Sequence, residues 1–467
     1  MLRRLFCCQN AGNFLTGRLC LYYNKRKCVL PGLPLRRTRR KRRVDAINTS
    51  ADSKKTSTSV QIERILWATA LSMILFAFVM DTPANILIGE WKLILHPDAL
   101  ITDYSAVGGF GATFFNAGVI MAASIAIVKL SHASISGPTI ACIFLMSGFS
   151  MFGKNIANIW PIILGVYLFS RFQHESFSKY VYIALYGTAL SPMITAVAME
   201  AVGFWAKLIA VMLFGTIIGF LLPPLATYCL RVHQGYNLYN VGFAAGLVGT
   251  LLVSVMKSFG FEISSTLMWT YENDWRVIAY ILLLSLTLLL MGLFSVQNKS
   301  DIPRIYRHSG RLMADFIILD GLPVTLFNMG TLGIAATAYI LLTGGTINGA
   351  TLGGILTIIG FGAFGKHLRN ILPIMGGVYL GSLVKTWNVN DPSVQLGALF
   401  GTSLAPISGQ FGWQYGVLVG FLHSSMVLNT GILHGGLNLY NNGFSAGILA
   451  LIIVPVIETF KKRKEHL

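Results

Sequence analysis

The chain writes one long passage twice. FGKNIANIWPIILGVYL, from Phe152 to Leu168, returns 212 residues later as FGKHLRNILPIMGGVYL, from Phe364 to Leu380. The same offset pairs His96 with His308, Asp103 with Asp315, Gly137 with Gly349, and FFNAG (Phe114 to Gly118) with LFNMG (Leu326 to Gly330). After a two-residue adjustment YGTALSP (Tyr186 to Pro192) meets FGTSLAP (Phe400 to Pro406). After a deletion HQGYNLYNVGFAAG (His233 to Gly246) meets HGGLNLYNNGFSAG (His434 to Gly447). Whatever one unit folds into, the chain builds it twice and packs the copies together.

Composition decides the solvent in which that happens. Of 467 residues, 54% are hydrophobic and 12% charged, and mean hydropathy is +0.64. Soluble domains carry about a quarter charged residues. Apolar runs such as ILWATALSMILFAFVM and IAYILLLSLTLLLMGLF are long enough to cross a hydrocarbon layer of about 30 Å. The chain therefore reads as an all-α integral membrane protein. Its parts are a basic tail (1–63), a first repeat (64–258), a connecting loop (259–275), a second repeat (276–458) and a short basic tail (459–467).

Each repeat shows seven apolar segments, in the first near 64–83, 104–130, 135–152, 155–171, 178–199, 203–230 and 236–257. An odd number places the second copy upside down, so two inverted-topology repeats are expected, with 10 to 14 crossings. The third and fourth segments are short and joined by an abrupt Gly-Lys step, which suits either two spans or a re-entrant hairpin. Charge supports the inversion. With the N-terminal tail cytoplasmic, Glu262, Glu272 and Asp274 fall outside, and Lys299, Arg304, Arg307, Arg311 and Lys461–Lys464 fall inside. A cell-membrane protein with both termini cytoplasmic is expected.

The formal charge of +18 is mostly tail: residues 1–58 hold 15 of 36 Lys and Arg against Asp45 and Asp52. The run Leu35–Arg43 reads as an orienting flank rather than a nucleic-acid site, and the segment also has the composition of a transit sequence. Cys7, Cys8, Cys20 and Cys28 lie in that tail, and Cys142 and Cys229 lie in apolar segments, so no disulfide frame or metal site is implied. GFGATFFN lacks the Lys-Ser/Thr ending of a phosphate-binding loop. No cofactor is expected.

Three sets of residues could carry chemistry. The Gly153-Lys154 and Gly365-Lys366 steps, with Asn158 and Asn370 a turn later and Pro161 and Pro373 beyond, place a cation where a new helix is expected to begin, suited to an anion. In the NLYN words, helical spacing puts His233, Asn237, Asn240 and Ala244 on one face, and His434, Asn438, Asn441 and Ser445 on another, as a lining or as interhelical glue. Asn116 and Asn328 sit within apolar spans, as ligand or glue. Asp103 and Asp315 stand at span ends and are candidates for coupling to sodium or protons.

The doubled "GK…NI…PI…GVYL" and "H.G.NLYN.GF.AG" resemble an uncharacterised bacterial family of internally duplicated multi-pass membrane proteins, a domain of unknown function. In general architecture alone, the chain is similar to urea transporters. The expected function is a permease, a secondary transporter of a small polar or anionic solute coupled to sodium or a proton. A channel for a small neutral solute is the alternative, and an intramembrane enzyme or an assembly subunit are the other classes weighed. No catalytic spacing accompanies the histidines. The expected partners are the lipid bilayer, the solute, the coupling ion and further copies of the chain, without nucleic acid.

Overall fold

The computed structural model describes residues 37–263, 267–311 and 314–465. Most of the N-terminal basic tail lies outside them, with its four cysteines. Contacts divide the chain into Met1–Thr56 and Ser57–Leu467. In the first unit residues 37–56 are helical.

The first repeat runs α1 (Ser57–Met80), α2 (Pro83–Leu95), α3 (Tyr104–Leu130), α4 (Gly137–Phe149), α5 (Trp160–Phe172), α6 (Val181–Gly187), α7 (Ser191–Glu200), α8 (Phe204–Val232) and α9 (Asn240–Ser258). The second runs α10 (Trp275–Ser295), α11 (Phe316–Leu319), α12 (Leu322–Leu342), α13 (Gly349–Phe361), α14 (Leu368–Val384), α15 (Pro392–Gly401), α16 (Ala405–Phe411), α17 (Trp413–Thr430) and α18 (Asn441–Glu465). The copies agree down to their irregularities. α3 breaks at Gly109 (φ 83°, ψ 165°), and α11 is separated from α12 at Gly321 (φ 88°, ψ 160°). The YGTALSP and FGTSLAP words form the 3-10 turns that interrupt α6–α7 and α15–α16. Among the described residues, nine helical stretches are long and apolar enough to cross a bilayer. The protein is multi-pass.

The short helices α4 and α13 form the middle of the molecule. Each starts in a reciprocal cap, Ser136 with Thr139 and Asn348 with Thr351, and every residue of α13 is buried. Thirteen residues rise only about 20 Å, less than a bilayer core, so these are the interrupted segments anticipated at 135–171. They lie against each other on glycine. A Cβ at Gly148 would sit 2.6 Å from the Gly353 carbonyl oxygen, one at Gly353 would sit 2.5 Å from that of Gly148, and Gly360 faces Ala141 and Phe144.

These contacts fix the symmetry. Numbers rise along α4 as they fall along α13, so the pair is antiparallel. α1 and α10 behave likewise: the Ser72 and Tyr280 hydroxyls meet at 2.9 Å, and the cavity between the helices joins Arg64 and Ile65 to Leu288 and Met291. A rotation that reverses α1 has its axis perpendicular to α1. Because α1 has the length and composition of a bilayer crossing, that axis lies in the membrane plane, and the repeats are inverted. α9 and α18 instead leave the axis side by side, with Gly242 on Tyr440, Gly246 on Phe444, and the reciprocal contacts Gly443 on Tyr239 and Gly447 on Phe243.

A first expected result arises here. Gly148→Val or Gly353→Val forces a side chain into a backbone and should cost about 1–3 kcal/mol or more. Gly376→Ala, where a Cβ would meet nothing within 4 Å, should be neutral. Thermal unfolding of the detergent-purified protein reads both, and equal stability of all three variants would refute the close-packed pair.

Candidate functional site

In both copies the Gly-Lys step closes a helix. Lys154 N–H donates to the Phe149 carbonyl at 3.1 Å and Lys366 N–H to that of Phe361 at 3.0 Å, while Gly153 and Gly365 take φ of 142° and 95°. This is the glycine-terminated end, with its six-to-one hydrogen bond, of α4 and of α13. α5 begins only at Trp160, and α14 at Leu368. The anticipated helix start is therefore corrected at Lys154, whereas Lys366 directly precedes the His367 cap of α14, with Asn370 in the first turn.

Four of the singled-out asparagines hold these turns. Asn116 Nδ2 donates to the Ser150 and Lys154 carbonyls at 2.6 and 2.7 Å, and Asn328 Nδ2 to those of Gly362 and Lys366, both at 2.8 Å. Asn158 accepts from Asn155 N–H and donates to the Gly153 carbonyl. Asn370 accepts from His367 N–H and donates to the Gly365 carbonyl. The Oδ1 atoms of Asn116 and Asn328 are buried without a partner, leaving one open acceptor at the same place in each copy. Pro161 stands in the first turn of α5, where no amide is missed, whereas Pro373 lies inside α14.

Both lysines are fully buried, and no ion pair among the described residues includes either. Lys366 Nζ donates to the Tyr239 hydroxyl at 2.6 Å and the Thr402 hydroxyl at 2.7 Å, and lies over the Tyr239 and Phe361 rings at 4.6 and 5.1 Å. Lys154 Nζ lies over Phe149 at 5.0 Å and contacts Met146 Sδ at 3.3 Å. Because α4 and α13 are antiparallel, the two turns sit at opposite ends of the pair. They do not meet at the midplane, as an inverted pair of helix starts would have done.

Between them stands an aromatic cluster that repeats across the axis. Tyr239 and Tyr440 meet at 5.3 Å. Phe149 packs on Tyr440 at 4.7 Å and Phe361 on Tyr239 at 5.0 Å, while Phe400 and Tyr186 complete the set. Two cavities flank it. One, of about 340 Å³, is lined by Phe152, Phe400, Gly436, Leu439, Asn441 and Asn442 among others. The other, of about 230 Å³, is lined by Phe364, Tyr186, Gly235, Leu238, Asn240 and Val241 together with Asn237, Tyr239, Phe361 and Tyr440. Residue for residue, the first six positions of each are counterparts, so the cavities are images of one another.

The NLYN words supply their inner walls, but not as a helical stripe. Helix begins at Asn240 and Asn441. The preceding residues turn through Gln234, Gly235, Gly435 and Gly436 at positive φ, and Asn237 and Asn438 accept from the Tyr239 and Tyr440 N–H groups at 3.0 Å. His233 Nε2 meets Asn240 Oδ1 at 2.9 Å and His434 Nε2 meets Asn441 Oδ1 at 3.0 Å, while the two amides donate to the Ala226 and Val427 carbonyls. Of the ten candidate ligand residues, Asn237, Asn240 and Asn441 line a cavity. Lys154, Lys366, Asn116, Asn328, Asn158, Asn370 and Asn438 stand behind the walls.

Asp103 and Asp315 are exchanged between the copies. Asp103 Oδ1 accepts from Gly349 N–H at 3.0 Å, at the start of α13, and Asp315 Oδ2 from Gly137 N–H at 3.1 Å, at the start of α4. Each also caps its own segment, through Ser105 N–H and Ile317 N–H. Sequence reasoning missed the aromatic barrier, although Tyr239 and Tyr440 sit within the doubled word and Phe149 and Phe361 share the 212-residue offset. It also missed Asp98, which has no acidic counterpart.

A family model described as "Protein of unknown function (DUF1576)" matches residues 82–258 and 295–459, each stretch covering one repeat beyond its first long helix. No curated protein and no solved structure matches the chain.

Proposed function

Because the chain belongs to the DUF1576 family, whose description assigns no activity, we propose its function from the geometry: a membrane carrier that passes a small anionic or polar solute between the two cavities. The observation that carries this reading is the pair of symmetry-related cavities separated by the Tyr239–Tyr440 barrier, with one buried lysine behind each end. Inverted repeats give such a molecule two conformations of related energy, each opening one cavity at the expense of the other. Each buried lysine amino group supplies a hydrogen-bond donor with no competing carboxylate, and an anion that enters would favour its protonated form. We place both termini in the cytoplasm on the charge of the flanking loops.

Purified full-length protein in liposomes tests this with radiolabelled chloride, formate, acetate and phosphate. Uptake above that of empty liposomes, driven by a pH or sodium gradient and stimulated by the same anion inside, is the expected result. Flux that ignores every gradient and shows no counter-transport would mean a channel. No flux of any of the four would overturn the anion-carrier reading.

A further inference from the structure

The first repeat contains a carboxylate that the second has no room for. Asp98, in the connection between α2 and α3 and outside the spans, is 2% exposed. Its Oδ1 accepts from the Tyr104 hydroxyl at 2.8 Å, and its Oδ2 accepts from Thr195 Oγ1 at 2.8 Å and Asn158 Nδ2 at 3.1 Å. None of these partners is a cation. At the corresponding positions the second repeat has Gly310 for Asp98, Phe316 for Tyr104 and Gly409 for Thr195, and only Asn370 for Asn158 is retained. A Cβ on Gly310 would lie 2.1 Å from the Gly365 carbonyl oxygen. Carboxylate and hydroxyl partners are present together in one copy and absent together in the other, which is the pattern of a site rather than of scattered surface change.

Its neighbours tie it to the pathway. Asn158 Nδ2 also donates to the Gly153 carbonyl at 3.3 Å, and Ser191 Oγ donates there at 3.1 Å. Gly153 immediately precedes Lys154, and Thr195 lies on α7, just beyond the break in that span. Asp98 thus touches both the Lys154 turn and an interrupted helix. We propose that Asp98 is the proton-binding group that couples a transmembrane proton gradient to the Gly153–Lys154 turn, a role that rests on the carrier reading above.

The step is a simple protonation. A proton from the aqueous phase binds one carboxylate oxygen and turns it from acceptor to donor, so a hydroxyl of Tyr104 or Thr195 rotates to accept. With the proton on Oδ2, the Asn158 Nδ2 bond to that oxygen weakens, while Asn158 keeps its bonds to the Gly153 carbonyl, Thr195 and Asn155 N–H. All three present partners offer hydrogens to the carboxylate, an arrangement for a proton rather than for a sodium ion, which needs oxygen lone pairs. Burial pushes the Asp98 carboxyl up to about 7, against the pull of its Thr195, Tyr104 and Asn158 hydrogen bonds. Around it, α3 presents Tyr104, and α2 presents Glu90 beyond that tyrosine, a carboxyl also raised to about 7 by burial. α7 and the Gly-Lys turn present Thr195, Asn155 and Asn158.

Infrared pH-difference spectroscopy of the full chain in lipid tests proton binding directly. In a Glu90→Gln background, the carbonyl band of a protonated carboxylic acid should appear as pH falls through about 7. It should vanish with Asp98→Asn, survive Asp103→Asn, and shift to higher pH with Tyr104→Phe, which removes a bond to the ionised form. A band untouched by Asp98→Asn would overturn the proposal. In proteoliposomes with the four anions, Asp98→Asn should lose accumulation driven by a pH gradient while keeping exchange of the same anion. Accumulation driven equally well in Asp98→Asn would also overturn it. If the wild-type protein moves none of the anions, the carrier reading falls with this coupling role, and the infrared result decides separately whether Asp98 binds a proton.

Discussion

Asp103→Ala should lower the stability of the purified protein by about 3 kcal/mol or more. The substitution removes the acceptor of three backbone N–H groups, those of Ser105, Gly349 and Thr270, at 2.9, 3.0 and 3.0 Å. Each buried donor left without a partner costs about 1–3 kcal/mol. Asp103→Asn should cost less, because its one carbonyl oxygen can still serve Ser105 and Gly349, which share Oδ1. Unfolding in detergent, followed by tryptophan fluorescence, measures the difference. A melting transition of Asp103→Ala that coincides with the wild type would show that the exchanged cap contributes nothing.

Lys366→Met has the opposite signature: transport should fall at least about tenfold while stability holds or rises. Methionine matches the length of lysine, and replacing a fully buried amino group that has no acid partner by an apolar side chain removes a desolvation cost. What disappears is the amino group that bonds Tyr239 and Thr402 at 2.6 and 2.7 Å, and with it the donor offered to an entering anion; tenfold corresponds to about 1.4 kcal/mol. Uptake of the four anions together with the melting transition decides the matter. Unchanged flux would remove Lys366 from the pathway, and a collapse of both flux and stability would make it a structural residue.

The duplication made much of the fold legible. Repeated words gave the copies, an odd number of apolar segments gave their inversion, and the irregular turns fell where glycine, proline and asparagine recur together. The polarity of the central turn was not legible. Gly153-Lys154 looks the same on paper whether it ends α4 or starts α5, and only the bond from Lys154 N–H to Phe149 decides. NLYN misled for a related reason: helical spacing puts its asparagines on one face, but Gly235 and Gly436 at positive φ hold the chain out of helix until Asn240 and Asn441. Asp98 escaped because doubling draws attention to positions that match, and its meaning lies in a mismatch.

The exchanged caps make the two repeats depend on each other. The first amide of each central helix finds its carboxylate in the other copy, so a single repeat standing alone would leave that amide, and the matching carboxylate, without the partner it has here. The dependence is mutual, but the halves are not identical: the first carries Asp98 where the second has Gly310, so a fold built from two equivalent supports has two unequal sides.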